Sequence, residues 1–433
     1  MSEVFQRYLG VLGKTEFMPR AMLDEYQRGL VRQLVRHART NSPFYAGRLD
    51  CLIAPDGSID LKRWSEVPIL TRSEVTQSLE QIRAANLDES SLGSVSEHKT
   101  SGSGGEAIMF GVNALAKVAY NAALTRLAYW HGASPAKALA QLRIYRMEPV
   151  PHYPEGQVSR GWSQAAPDTE VYGLDMRATV DEQIEWLSRH KAPYLMTLPS
   201  NAMALGYAMA GTPASVAFEK VFSISETIIP GARELVAEKL GGKLIGIYST
   251  EEVGYVATEC PATPHYHICS EMTLVEIVDE HGRPVSAGEA GRVLVTGLYN
   301  YATPFIRYDV GDIAVVDDAP CTCGRTLPVL SQVLGRTRNA FVFRDGKRAW
   351  PRVWNATAMR VFIPCKEFQV VQVDYERIEF RYVPEGEQSI DAEGLRAYAK
   401  QHLHPSVETV AIKVDSLLRG PGGKLDPFVS NLS

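Results

Sequence analysis

Three things are scarce in this 433-residue chain: cysteine, an excess of charge of either sign, and long apolar runs. Six cysteines are too few for a disulfide scaffold. The 45 Lys and Arg stand against 50 Asp and Glu, a formal net charge of −5, which excludes the basic footprint of a nucleic-acid binder. The most apolar stretch, 194–209, is broken by Pro199, Ser200 and Asn201 and falls short of the roughly 20 residues a membrane span needs. The N-terminal MSEVFQRYLGVLGKTEF mixes Glu3, Arg7 and Lys14 into its apolar residues and so lacks a signal-peptide core. These absences predict a cytoplasmic protein that neither binds nucleic acid nor spans a membrane.

What is present, 45% hydrophobic and 22% charged residues, suits a globular protein long enough for two or three domains. Tyr26, Leu30, Val31, Leu34, Val35 and Ala38 form an apolar stripe at helical spacing, stopped by Asn41-Ser42-Pro43. A second helix fits 113–130. Beyond it, extended runs at 194–198, 220–224 and 244–248 alternate with a helix at 232–240, which predicts α/β layering with a parallel sheet. Residues 272–278 and 292–298 alternate around a turn at His281-Gly282-Arg283-Pro284, as an antiparallel β-subdomain would. From about Asn339 the chain reads as a separate α+β unit, with a turn at Asp345-Gly346, strands near 368–373, 378–382 and 409–414, and a helix at 392–402. A boundary near Gly335-Arg336 follows.

Four segments could carry chemistry. Thr100-Ser101-Gly102-Ser103-Gly104-Gly105 offers hydroxyls and backbone N–H groups to a phosphate, although no Lys follows as in a Walker loop, and a plain surface turn is the alternative. Tyr248-Ser249-Thr250-Glu251-Glu252-Val253-Gly254 ends an expected buried strand, where ligands of α/β sheets sit; a carboxylate there can hold Mg2+ and a Tyr ring can stack on a base. Arg307-Tyr308-Asp309-Val310-Gly311-Asp312 pairs a tight turn with an Asp suited to ribose hydroxyls and an Arg that could face phosphate or Asp. Gly420-Pro421-Gly422-Gly423-Lys424 presents one Lys on a glycine-rich loop. Taken singly, each also reads as an ordinary turn or solvated surface.

Their order resembles the adenylate-forming enzymes, and more narrowly the phenylacetate–CoA ligase branch and its capsule-biosynthesis-associated relatives. Asn41-Ser42-Pro43-Phe44-Tyr45, Val67-Pro68-Ile69-Leu70-Thr71, Thr100–Ala107, Ser223–Glu226, Tyr248–Glu252, Arg307–Asp312, Gly335-Arg336 and Lys424 carry the resemblance nearly end to end. It implies a large N-terminal adenylation domain (1–335) with parallel-sheet layers and a β-subdomain, and a small mobile α+β domain (336–433) carrying the catalytic Lys424. ATP phosphates would fall to Thr100, Ser101, Gly102 and Ser103, adenine to Tyr248, Mg2+ to Glu252, and ribose to Asp312 assisted by Arg336. Ser223, Ser225, Glu226 and Tyr248 would line the acid pocket, and Arg338 would be the hinge. The implied reaction is attack of a carboxylate, aromatic by analogy, on the α-phosphorus, followed by capture of the acyl-adenylate by the thiol of coenzyme A. A homodimer is a family-level expectation.

The sequence departs from the family pattern in places. Gly104 replaces a Thr, Glu106 stands where Lys is common, Ala107 replaces Pro, Ser249 stands for Gly, Glu251 for Thr, and Arg338 for Asp or Lys. A one-residue slip would make Glu251 the metal-binding carboxylate. Transfer to an amine or to a carrier-protein thiol is the alternative outcome, and a nucleotide-binding protein without turnover the alternative of another class.

Cys321-Thr322-Cys323-Gly324-Arg325, with Cys260-Pro261, His265, His267 and Cys269, supplies the thiolate and imidazole ligands of structural zinc. The resemblance singles out Cys260, His267, Cys321 and Cys323, with His265 and Cys269 as rivals, clamping a subdomain near 258–330. Four protein ligands leave no position for catalysis, so a zinc hydrolase fits poorly. Unliganded cysteines are the alternative. Cys51 and Cys365 read as packing residues, and His98 as a residue of the loop surface or a phosphate neighbour.

Overall fold

The structure, a computed structural model, describes residues 2–100, 107–209, 216–336, 340–349, 362–384, 386, 389–418 and 425–432. The chain forms two compact units, each assembled from separate stretches. The first comprises 1–136, 160–169 and 247–333; the second comprises 137–159, 170–246 and 334–433.

The first unit opens with helix Glu3–Thr15, started by a Ser2 hydroxyl cap, and helix Arg20–Asn41. The expected apolar stripe of the second helix is its inner face, with Leu23, Leu30, Val31, Leu34, Val35 and Ala38 buried. It ends where Ser42 turns extended ahead of Pro43, since the proline ring disfavours helical geometry in the residue before it. Helix Ala114–Trp130 is buried around most of its circumference, which its alanines permit at close range. An antiparallel sheet follows in the order 273–278, 290–297, 308–317, 329–336, 266–268, 254–259, ending on 247–250. The expected β-subdomain is present: Thr273–Val278 and Ala290–Gly297 pair antiparallel, with Glu276 opposite Leu294.

The second unit holds the parallel layer. Strands Leu139–Arg143, Glu170–Asp175, Tyr194–Thr197, Lys220–Ser223 and the start of Lys243–Thr250 pair in parallel register. Helices Val180–His190, Pro199–Ala208 and Ala232–Leu240 connect successive strands, the βαβ pattern that forces a parallel sheet. The apolar stretch at 194–209 is thus a buried strand followed by a helix. The tail contributes antiparallel Cys365–Gln372 and Arg377–Pro384, flanked in parallel by Phe428–Ser430 and Glu408–Lys413, with helix Ala392–His402. Its Phe368, Val370 and Phe380 share a core with Leu195, Leu205 and Val221. Strand Lys243–Thr250 belongs to both units: it is parallel through Gly246 and antiparallel to Gly254–Glu259 from Ile247. Among the described residues no helix is long and apolar enough to cross a membrane.

Candidate functional site

In the first unit the site starts from a buried arginine. Arg307, expected to face phosphate or Asp, instead adopts a left-handed backbone (φ 49) and buries its guanidinium. Its donors reach the carbonyls of Ser65, Val67 and Gly282 and the carboxylate of Glu276. A buried guanidinium persists only when its N–H groups are met, and here they lock residues 65–70 against the strand that begins at Tyr308. Leu70 bridges Tyr308: its N–H donates to the Arg307 carbonyl at 2.9 Å, and its own carbonyl accepts from Asp309 N–H at 2.9 Å.

One residue on, Thr71 starts helix Arg72–Ile82 with a capping box, its hydroxyl accepting from Glu74 N–H while the Glu74 carboxylate accepts from Thr71 N–H. Arg72 is therefore placed on the first helical position. Its guanidinium donates to Glu252 Oε1 at 3.1 Å and to Thr100 Oγ1 at 3.0 Å. Tyr308 also donates its hydroxyl to Glu252 Oε1, at 3.2 Å, and burial pushes the phenol above its ordinary pKa. Thr100 Oγ1 accepts a further bond from Ile108 N–H at 2.9 Å.

Glu252 is buried while its neighbour Glu251 is exposed. The turn that sorts them is closed by Gly254, which has φ +78 and whose position would put a Cβ 2.6 Å from the Tyr120 ring. Only glycine fits there. At the other end of this segment Tyr248 donates its hydroxyl to Asp312 Oδ2 at 2.8 Å. Thr100, Tyr248, Glu252 and Asp312, four of the residues singled out from sequence, are thus joined in pairs by hydrogen bonds, Thr100 to Glu252 through Arg72. Asp309 pairs with Arg292 at 2.8 Å and accepts from Gly311 N–H, holding the turn before Asp312.

Neither Arg72 nor Tyr308 has a role legible from residue spacing alone. The available signal was the Thr71-x-x-Glu74 capping box directly after the Val67–Thr71 motif, which sets Arg72 at a helix start. His98 lies on strand Val95–Lys99, half-buried with its ring 6.1 Å from Phe110, and burial lowers its pKa. It is a strand residue, not part of a surface loop. Ser101, Gly102, Ser103, Arg338 and Lys424 lie outside the described residues.

In the second unit Ser223 closes a parallel strand and donates to the Ile245 carbonyl at 3.1 Å. Ser225 takes a left-handed conformation (φ 69), and Glu226 Oε2 accepts from Ser200 N–H at 3.2 Å, at the N-terminus of helix Pro199–Ala208. A carboxylate at that terminus is favoured by the helix dipole. Arg336 ends strand Val329–Arg336.

The cysteine and histidine candidates converge in the first unit. One ligand atom from each of Cys260, His265, His267 and Cys321 lies within 4.8 Å of the others. Cys260 and Cys321 Sγ are 3.6 Å apart, and His265 Nε2 is 3.1 Å from Cys321 Sγ. A tetrahedral zinc with thiolate bonds near 2.3 Å has S–S edges of about 3.8 Å, so spacing and donor type both fit. Cys323 stands beside this group, its Sγ 3.2 Å from His267 Nε2. His267 Nδ1 faces the Leu327 carbonyl at 3.4 Å, which leaves Nε2 toward the thiols, and burial holds the imidazole down to about 4, neutral and able to ligate. Burial pushes the Cys321 thiol up to about 12. Cys269 is apart, accepting from Arg126 at 3.7 Å, with burial raising its thiol to about 11.

No protein-family model matches the sequence. The chain is 24% identical over 365 residues to the phenylacetate-coenzyme A ligase of Thermus thermophilus, covering 82% of this chain and 79% of that enzyme. Its fold is similar to that of 2-hydroxyisobutyryl-CoA ligase in the postadenylation state, with TM-score 0.79 and 18% identity over 97% of this chain and 92% of that one. It is also similar to an anthranilate CoA ligase bound to anthranoyl-AMP, with TM-score 0.57 and 16% identity over 76% of this chain and 66% of that one. The fold is that of the adenylate-forming enzymes.

Proposed function

We propose that this protein uses ATP to activate a small carboxylic acid as an acyl-adenylate, releasing pyrophosphate, and passes the acyl group to the thiol of coenzyme A. The observation that carries the reading is the paired linkage of Tyr248 to Asp312 and of Glu252 to Tyr308, on the two segments whose motifs match the adenylate-forming pattern. The phenylacetate and anthranilate ligases among its relatives support an aromatic acid.

Asp312 binds the ribose hydroxyls, assisted by Arg336, and Tyr248 offers its ring to adenine. Thr100, with Ser101, Gly102 and Ser103, cradles the phosphates. Glu252, a buried hard-oxygen donor, is the residue that would hold Mg2+, which when bound offsets phosphate charge. The nucleophilic carboxylate and the α-phosphate repel, so Lys424 supplies a point charge at the reacting centre. Ser223, Ser225 and Glu226 serve the acid. Residues 336–433 act as the small domain that moves between adenylation and thioester formation, with Arg338 as hinge. Cys260, His267 and Cys321, joined by His265 or Cys323, hold a structural zinc.

Product analysis with ATP, Mg2+ and an aryl acid, with coenzyme A, amines or a carrier protein as acceptor, tests the reading. Acyl-CoA with stoichiometric AMP is the expected product; an amide or a carrier thioester alone would redirect the second step.

A further inference from the structure

We infer that Arg72 is the guanidinium that receives the terminal phosphates of ATP and confers the preference for triphosphate over monophosphate. This rests on the adenylation reading and adds a residue to it. In the nucleotide-free chain the same group balances the charge of Glu252.

The placement is built, not incidental. The Arg307 clasp and the Leu70–Tyr308 bridge anchor the backbone on one side, and the Thr71–Glu74 capping box anchors it on the other. Glu74 is itself tied to Arg48 at 2.8 Å. From this fixed base one guanidinium spans the carboxylate assigned to Mg2+ and the first residue of the glycine-rich loop, through different nitrogens. A third contact, 3.5 Å to the Tyr308 hydroxyl, steadies the fork.

The chemistry of these partners gives the group its direction. Glu252 is nearly enclosed, with 10% of its side chain exposed, whereas Arg72 retains 26%. The cation therefore stays reachable from solvent while the anion does not. Thr100 Oγ1 is a neutral acceptor that already takes the Ile108 N–H, so a phosphate oxygen is the stronger partner for the same N–H. Arginine's planar fork suits phosphate in a way a single ammonium does not. A guanidinium and a divalent cation sharing one carboxylate repel each other, which favours Arg72 turning to phosphate when the metal arrives with ATP.

The test measures equilibrium binding of ATP and AMP, each with Mg2+, to the full chain and to Arg72→Ala and Arg72→Lys, with thermal melting alongside. Arg72→Ala is expected to weaken ATP by about tenfold or more and AMP by less than about twofold, as loss of a charge-assisted contact to phosphate requires. In steady state KM for ATP rises while KM for the acid holds. Arg72→Lys, which keeps the charge and stem, is expected to fall between, and it answers the question if the alanine variant does not fold. Equal weakening of ATP and AMP, or unchanged ATP affinity in both variants, would overturn the assignment and leave adenylation standing. A wild-type chain that binds neither nucleotide would overturn the adenylation reading and Arg72's part in it together.

Discussion

Tyr248 hydrogen-bonds Asp312 at 2.8 Å, and four residues along each segment, in opposite directions, Glu252 is bonded by Tyr308 at 3.2 Å. Two segments far apart in sequence are thereby held side by side in opposite polarity, with a carboxylate at each end of the pairing. This frame gives the carboxylates proposed for ribose and for Mg2+ one rigid support.

Asp312→Ala should raise KM for ATP by at least about tenfold, since hydrogen bonds to a charged group contribute roughly 1.5–3 kcal/mol. Tyr248→Phe keeps the ring and removes only the hydroxyl, so a rise of a few-fold is expected. Initial-rate kinetics against ATP check both. A larger effect from Tyr248→Phe than from Asp312→Ala would contradict the roles.

Lys424→Ala should lower the rate of adenylation by about 100-fold or more while ATP still binds, because the lost charge acts on the developing transition state. Single-turnover formation of acyl-adenylate measures this. A normal rate would remove Lys424 from the mechanism.

Metal analysis of protein purified without chelator should find close to one zinc per chain. Chelation should lower the melting temperature, because the loop at Cys321–Arg325 is tied to the residue that caps the N-terminal helix. Arg325, two residues after Cys323, pairs with Glu16 at 3.2 Å and lies 4.2 Å over the Trp130 ring, which meets His267 edge-on. Trp130 fluorescence should shift with metal loss. Comparing His265→Ala with Cys323→Ser identifies the remaining ligand as the one whose removal lowers the zinc content. A ratio near zero in the untreated protein would end the zinc assignment.

Glu271→Ala should destabilise the protein by about 3–5 kcal/mol, because it strands a buried guanidinium. Arg126 pairs with Glu271 at 2.7 Å, and Thr15 donates to the same oxygen. Urea denaturation reads the loss, and KM for ATP in the folded variant should be unchanged. A cost under about 1 kcal/mol would show the pair to be dispensable.

Much of this architecture is legible in the sequence, because its signals are local. The helix stripe at Leu30–Ala38, the β-subdomain and the strand read at 244–248 follow from periodicity and turns, and the structure has each, the strand running Lys243–Thr250. The motifs with Tyr248, Glu252 and Asp312 could be found by order along the chain. What could not be read was long-range pairing. Arg307 looks available for phosphate or Asp, yet two of its partners are carbonyls some 240 residues earlier in the chain, a burial no spacing reveals. Arg72 was invisible for the converse reason, since its chemistry comes from Thr100 and Glu252, which only the fold brings to it. The choice among His265, Cys269 and Cys323 likewise depends on strand register, which sets His265 and His267 toward Cys321 and Cys323 and turns Cys269 to Arg126.

The most direct measurement is acid-dependent exchange of labelled pyrophosphate into ATP with Mg2+, across aryl and alkyl acids. It reports the first half-reaction before any acceptor is chosen. Exchange is expected with one class of acid, strongest for aryl acids, and none without acid. Silence across the panel, in protein shown to bind ATP, would contradict the adenylation reading and point to a nucleotide-binding protein without turnover.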